Sequence, residues 1–292
     1  MAFEDLMAQV DQQLVGNGVD IPSRPIFAMM EVSKRFKIQL RGGPRTEHST
    51  PQEVEEIAYA EAIHQWYERN YKARLNESPG PLPTALLVDG DLYSLRIPWQ
   101  IGRVAYVSTR QWLKNPGISG SPVTINVVQF LEGITPARAQ RLSDKGLKEV
   151  WRSFNTAFPA AYTLTATDHK LMCIARGDVE SAVSNLMAME QRFGESRWAS
   201  LQAAEKIIKS AIDLKGAKFK QTHDLRELCK QLASTGLQFN ADAQLAALQC
   251  WPGIRYGEET STQKQALLAH QSSLELVNII REAGVPFNKG VA

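Results

Sequence analysis

The sequence predicts an α+β fold in which a mixed N-terminal domain is followed by an antiparallel helical bundle. Three observations lead to this prediction. Short strand-like segments alternate with helical patterns up to about residue 172, proline is then absent until Pro252, and apolar residues recur at helical spacing through the C-terminal part. The 292 residues are enough for two domains of ordinary size. We therefore expect an α+β recognition domain over residues 1–172 and a helical bundle over residues 173–292.

The first part of the N-terminal domain is predicted to contain a strand and a helix. Apolar and basic residues alternate over 36–41, so residues 26–41 are expected to form a strand with one buried and one solvent-exposed face. Thr50 and Glu53 have the spacing of a capping box, which predicts that a helix begins there. Helical apolar spacing continues to about residue 75.

The rest of this domain is predicted to alternate strands with one long helix. Asp89 and Gly90 favour a tight turn between two strands, residues 84–90 and 91–99. Apolar and β-branched segments predict further strands, and Thr135 with Pro136 predicts the start of a helix. The expected elements are strands at 101–107, 123–131 and 161–167 and a helix over about 135–158.

The C-terminal domain is predicted to contain five helices joined by short connections. They are expected over residues 178–190, 197–215, 222–235, 241–250 and 262–282. Thr222 is the expected N-cap of the third helix, and Gly236 lies just past its end. His270 falls on the apolar face of the last helix, which predicts a buried, hydrogen-bonded histidine.

Composition excludes several classes of protein. Lys and Arg number 33 against 31 Asp and Glu, a formal net charge of +2, so any basic surface must be local. No apolar run approaches the roughly 18 residues that span a membrane, and we expect a cytoplasmic protein with no membrane partner. The three cysteines lack CxxC spacing and the five histidines lack an HExxH motif, so no metal site and no cofactor are expected.

Four short sequence blocks in the C-terminal domain carry a family resemblance. They are Asp178 with Ser181-Ala182, LQAAEKIIK at 201–209, Thr222-His223-Asp224-Leu225, and Arg255-Tyr256. In this order and spacing they resemble the HEPN domain (higher eukaryotes and prokaryotes nucleotide-binding) over about residues 175–285. The resemblance implies a helical bundle, a homodimer formed through it, and a nucleotide or RNA partner. It also implies a role in a bacterial defence or toxin–antitoxin system.

One branch of the resembled family consists of metal-independent ribonucleases, in which an arginine precedes a histidine by about four to six residues. No arginine stands at that spacing before His223. The leading hypothesis is therefore a nucleotide-binding, RNA-binding or regulatory protein that lacks the ribonuclease pair. A ribonuclease with a variant site around His223, Lys218 and Arg255 is the alternative, and a protein whose bundle only oligomerises is the third hypothesis.

His223 is the candidate functional histidine, and the sequence leaves two interpretations of it open. It can contact a nucleotide or phosphate beside Lys218 and Lys220, and it is then also the candidate catalytic residue. Alternatively, Thr222 and Asp224 simply satisfy backbone donors at the start of a helix. If His223 contacts a nucleotide or phosphate, Asp224 is expected to contribute to binding that ligand.

Two further sets of candidate binding residues lie elsewhere in the chain. Arg255 and Tyr256 are expected near the His223 turn, or else Tyr256 packs in the core and Arg255 pairs with a carboxylate such as Asp224 or Glu205. In the N-terminal domain, which is a candidate site for a protein partner, the predicted strand carries basic residues on one face. They can follow a phosphate backbone or protect a sheet edge, and they are Arg35, Lys37 and Arg41.

Overall fold

The computed structural model describes residues 2–41, 49–72, 75, 81–100, 103–113 and 123–287. The helices are α1 (Phe3–Gly16), α2 (Arg24–Phe36), α3 (Pro51–Tyr71), α4 (Pro136–Gln140), α5 (Asp144–Thr165), α6 (Lys170–Met187), α7 (Phe193–Leu214), α8 (Leu225–Ala233), α9 (Asp242–Leu248) and α10 (Gln263–Glu282). The strands are β1 (Pro83–Val88), β2 (Asp91–Arg96), β3 (Val104–Val107) and β4 (Val123–Asn126). Short 3₁₀ helices cover Ile21–Ser23, Val127–Phe130 and Pro252–Tyr256. The predicted α+β fold class, with a helical C-terminal part, is confirmed.

The chain divides into two compact units. The first comprises Met1–Gly80, Pro98–Val107 and Leu113–Ile125, and the second comprises Pro81–Ile97, Ser108–Trp112 and Asn126–Ala292. The division therefore differs from the expected boundary between residues 172 and 173, which lies inside α6.

The first unit is built on α1, α2 and α3. Its core consists of apolar side chains from these helices, namely Leu6, Met7, Val10, Leu14, Ala28, Val32, Ile63, Trp66 and Tyr67. The capping box that Thr50 and Glu53 form at the start of α3 confirms the predicted helix start.

The strand predicted over residues 26–41 is wrong, because most of this segment is α2. Ala28 and Val32 are buried one helical turn apart, and their helical spacing decides the structure. The alternating residues lie at and beyond the end of α2, where Lys37 has a left-handed backbone (φ 54°). Phe36 and Ile38, which the strand would bury, are exposed.

The second unit begins with the β1–β2 hairpin. The two strands pair antiparallel with Val88 opposite Asp91. The turn residues Asp89 and Gly90 both have positive φ (50° and 92°), as a tight hairpin turn requires, and this prediction is confirmed. The strand expected over 123–131 is shorter than predicted, since β4 ends at Asn126 and a 3₁₀ helix follows.

The strand predicted over 161–167 is also wrong, because α5 continues to Thr165. Ala157, Ala161 and Leu164 are buried at helical spacing. Thr163 donates a hydrogen bond from its hydroxyl to the carbonyl four residues earlier, so its β-branched side chain is accommodated within the helix.

Helices α6, α7 and α10 form the centre of the second unit, with α8 and α9 packed beside them. Small side chains allow α6 and α7 to pack closely, since the Ser196 hydroxyl donates to the Ala182 carbonyl at 2.8 Å. Helix α6 begins at Lys170, earlier than predicted, with His169 as its N-cap. Within the described residues, none of the helices has the length and apolarity needed to cross a membrane.

His270 is fully buried between α10 and β1, as predicted. The Ala85 backbone N–H donates to its Nε2 at 3.2 Å, and the Thr84 hydroxyl lies 2.9 Å from the same atom. Nε2 is therefore an acceptor, and the neutral ring carries its proton on Nδ1. Burial lowers the pKa of His270 to about 4, because the charged ring would lose its hydration and confront the Ala85 donor.

We predict that His270 makes folding pH-dependent. Because its pKa is lowered in the folded state, its contribution is full above about pH 6.5, the ordinary histidine pKa, and is lost as the pH falls towards 4. The complete loss amounts to about 3 kcal/mol. Urea denaturation of wild type and His270→Gln from pH 4 to 7.5 should show a shallower pH dependence of the unfolding free energy in the variant. Parallel curves would contradict the prediction.

Candidate functional site

A buried ion pair on α7 is the base of the candidate site. Glu205 and Lys209 stand one helical turn apart, and the Lys209 Nζ lies 2.6 Å from the Glu205 Oε1. Each side chain is only 8% exposed. The Lys209 ammonium also lies 5.6 Å from the ring centre of Phe219, which adds a cation–π contact. A lysine and a carboxylate at this depth stabilise each other's charged form.

The second oxygen of Glu205 holds His223. The His223 Nδ1 lies 2.6 Å from the Glu205 Oε2, and 66% of the histidine side chain is exposed. Because an ionised carboxylate only accepts hydrogen bonds, Nδ1 must be the donor. In the neutral ring the Nε2 lone pair is then free, and among the described residues Nε2 has no hydrogen-bond partner. A histidine oriented in this way presents Nε2 as an acceptor or general base.

His223 precedes α8 instead of lying in its first turn. The prediction that Thr222 caps this helix is wrong, because Asp224 is the N-cap and accepts from the N–H groups of Arg226 and Glu227 at 2.9 and 3.1 Å. Thr222 accepts from the Asp224 N–H at 3.1 Å and so stabilises the turn. Asp224 therefore has a structural role in this turn, and His223 is left available to Glu205.

Arg255 and Tyr256 lie on the 3₁₀ helix that packs against the start of α7. Gly194 permits this contact, since a Cβ there would lie 2.2 Å from the Ile254 carbonyl oxygen. The Arg255 guanidinium carbon lies 5.1 Å from the ring centre of Trp198 and 4.5 Å from that of Tyr256. Arg255 therefore stacks with two aromatic rings.

Trp198 connects this stack to His223. The ring centres of Trp198 and His223 are 6.3 Å apart, so His223 and Arg255 both contact Trp198. The interpretation that buries Tyr256 is wrong, because this residue is 68% exposed. Trp198 was not among the residues predicted for the site. Its place on the same helix as Glu205, seven residues earlier, is the signal in the sequence that could have identified it.

A surface cleft of about 480 Å³ adjoins the aromatic stack. Its lining residues come from α6, α7 and the 3₁₀ helix, and they are Asp178, Asn185, Glu195, Trp198, Ala199, Gln202, Arg255 and Tyr256. Lys206 donates to the Asp178 Oδ2 at 2.6 Å. Burial raises the pKa of Asp178, and the Lys206 hydrogen bond opposes that rise. Aromatic faces, a guanidinium and hydrogen-bonding groups thus meet at one open surface.

Lys218 and Lys220 lie outside this cleft. The Lys220 Nζ pairs with Glu227 at 2.7 Å, and this lysine lines a different surface cleft together with Asp224 and Lys230. Lys218 is exposed, and its backbone carbonyl accepts from Gln231 at 2.6 Å. Both lysines thus hold the segment before α8 against that helix.

The three basic residues of the first unit do not share a strand face. Arg35 lies on α2 and pairs with Glu31 at 2.8 Å, whereas Lys37 ends that helix. Arg41 forms ion pairs with Glu53 and Glu56 of α3. The phosphate-binding hypothesis depended on a strand, but most of this segment is the helix α2. In addition, two of the three basic residues, Arg35 and Arg41, pair with carboxylates. No group of three or more metal-ligating side chains occurs within the described ranges.

We predict that Glu205 stabilises the fold mainly through Lys209. Glu205→Ala should lower the free energy of unfolding by about 3–5 kcal/mol, because it leaves a buried ammonium without a carboxylate. The double variant Glu205→Leu/Lys209→Leu should recover most of that loss. Urea denaturation measures both, and Glu227→Ala, which breaks an exposed pair with Lys220, is the control and should cost less than about 1 kcal/mol. Equal losses for Glu205→Ala and Glu227→Ala would contradict the prediction.

Comparisons with known proteins identify one part of the chain. No curated protein and no solved structure matches the sequence. The N-terminal region has no family match. The family model of the HEPN domain matches residues 169–283, which include every residue of the cleft and the Lys209–Glu205–His223 chain, and the resemblance found in the sequence is confirmed for this part of the protein.

Proposed function

We propose that the cleft beside Trp198 binds a nucleotide, either free or within single-stranded RNA. The contact of the Arg255 guanidinium with the rings of both Trp198 and Tyr256 is the observation that carries this proposal. Aromatic and guanidinium faces stack on bases, and an exposed arginine also contacts phosphate. The volume of about 480 Å³ is within the range of small-molecule sites.

His223 supports RNA over DNA as the polynucleotide partner. Its Nε2 has a free lone pair at the surface because Glu205 holds Nδ1. A ribose 2′-hydroxyl is a donor that such a nitrogen can accept, and deoxyribose lacks it. His223 adjoins Trp198, so a base stacked near that ring would bring its own sugar close to the histidine.

The same geometry favours a metal-independent ribonuclease as the second candidate function. In that reaction Nε2 takes the 2′-hydroxyl proton and the 2′-oxygen forms a bond to the phosphorus. The bond from phosphorus to the 5′-oxygen breaks, and the 5′-oxygen takes up a proton from water. Arg255 would stabilise the negative charge on the phosphorus oxygens. Arg255 would then take the part of the arginine that is missing before His223 in the sequence, since both residues contact Trp198.

The biological setting that we propose follows the resemblance of residues 169–283 to HEPN domains. It is a bacterial defence or toxin–antitoxin system, in which the first unit contacts a protein partner. We also propose a homodimer through residues 173–292, where Met189 and Trp251 are exposed. Light scattering on the full chain at tens of micromolar should give the dimer mass, and a monomer would contradict this assembly.

The binding proposal predicts a selective effect of Arg255→Gln. This variant should weaken the binding of a single-stranded RNA by about tenfold. It should also lower the salt slope of log K by about 0.7, the value for one lost phosphate contact. Fluorescence anisotropy between 50 and 300 mM salt measures both quantities. Arg281→Gln, which changes a partly exposed arginine on α10 outside the cleft, is the matched control. Equal effects of the two variants would contradict the proposal.

A digestion experiment separates binding from catalysis. We expect RNA incubated with the wild-type protein and a metal chelator to remain intact. In a separate binding assay, His223→Gln should reduce the ratio of the affinities for RNA and DNA by about fivefold. Stability should change little in His223→Gln, because Asp224 still caps α8. Chelator-resistant cleavage that His223→Gln abolishes would replace the binding proposal with the ribonuclease. Intact RNA with an unchanged RNA preference would contradict the role of His223.

A further inference from the structure

The polar part of the cleft combines an acceptor and a donor side by side. Asp178 of α6 uses Oδ2 to accept from Lys206, and within the described part of the chain its Oδ1 has no hydrogen-bond partner. The Lys206 ammonium is partly exposed and has two further donor protons, which face the Gln202 side-chain and backbone oxygens at 3.3 and 3.4 Å. Asp178 and Gln202 line the cleft, and the Lys206 ammonium contacts both of them, so an ammonium lies next to the lining carboxylate.

Guanine matches this arrangement better than the other bases do. Its Watson–Crick edge presents the N1–H and N2–H₂ donors next to each other, followed by the O6 acceptor. One carboxylate accepts from both donors, and an adjacent ammonium donates to O6. Adenine and cytosine place an acceptor nitrogen beside a single amino donor, and uracil places one N–H between two acceptors, so each would set an acceptor against Asp178.

We propose that the cleft selects guanine, with Asp178 accepting from N1–H and N2–H₂. Lys206 donates to O6 with a proton that it exchanges from its longer contacts with Gln202, at 3.3 and 3.4 Å. The base stacks on the aromatic surface that Trp198 and Tyr256 form with Arg255. This inference rests on the proposed nucleotide-binding function and adds the identity of the base. Asp178 is a binding residue because it contacts the base directly. Lys206 neutralises part of the Asp178 charge and completes the recognition pattern.

The burial of Asp178 supports its role in recognition. A carboxylate that is 24% exposed is only partly hydrated, so a bound base replaces few hydrogen bonds to water. Trp198 and Gln202 lie one helical turn apart on α7 and line the same cleft, which brings the stacking surface and the polar edge together. A planar base can therefore use both at once.

Titration calorimetry with the 5′-monophosphates of guanosine, adenosine, cytidine and uridine tests the selection. Guanosine monophosphate should bind at least tenfold tighter than each of the others. Inosine monophosphate, which differs from it only by lacking the 2-amino group, should bind about tenfold more weakly because one charge-assisted hydrogen bond is lost. This comparison uses the wild-type protein and does not depend on the folding of any variant.

A pair of variants on α6 locates the selection. Asp178→Asn should lower the affinity for guanosine monophosphate by about tenfold and leave that for adenosine monophosphate unchanged. Glu180→Gln, which changes an exposed carboxylate of the same helix, should change neither affinity. Binding of all four nucleotides with equal affinity, or a guanine preference that survives in Asp178→Asn, would overturn the inference and leave the proposed function standing. Absence of any nucleotide or RNA binding would overturn the proposed function itself.

Discussion

The carboxylate of Glu205 is the group on which the rest of the site depends. It lies almost fully buried on α7 and makes two hydrogen bonds of 2.6 Å, one with the Lys209 ammonium and one with the His223 ring. The first bond balances a charge that the core could not otherwise hold. The second fixes which nitrogen of an exposed imidazole carries the proton. A single buried side chain therefore connects the stability of α7 to the chemistry that the surface can perform.

The other half of the site is held by shape instead of by charge. Gly194 lets the 3₁₀ helix lie against the start of α7, and this contact brings Arg255 over the ring of Trp198. Trp198 also adjoins His223, so it is the element common to both halves. Because Trp198 and Glu205 belong to the same helix, the geometry of α7 determines how a stacked base, its phosphate and the histidine are placed relative to one another.

Local signals were sufficient to predict some parts of the molecule. The turn at Asp89-Gly90 and the buried His270 follow from turn chemistry and helical spacing alone. The strand predicted over residues 26–41 is wrong, because the alternation lies at the end of α2, where the helical spacing of Ala28 and Val32 determines the structure. The contact of Trp198 with Arg255 joins residues far apart in the sequence through tertiary packing, and no local pattern encodes it.

The most direct test of this account is the tautomer of His223 in solution. Long-range ¹H–¹⁵N correlation spectra at pH 8 distinguish a ring protonated on Nδ1 from one protonated on Nε2, and the His223→Gln variant identifies the signals. If the Glu205 carboxylate accepts from His223, as their 2.6 Å contact indicates, the neutral ring carries its proton on Nδ1 and the Nε2 signal is that of an unprotonated nitrogen. A neutral ring with its proton on Nε2 and none on Nδ1 would show that Glu205 does not hold it, and the free acceptor on which both candidate functions depend would not exist.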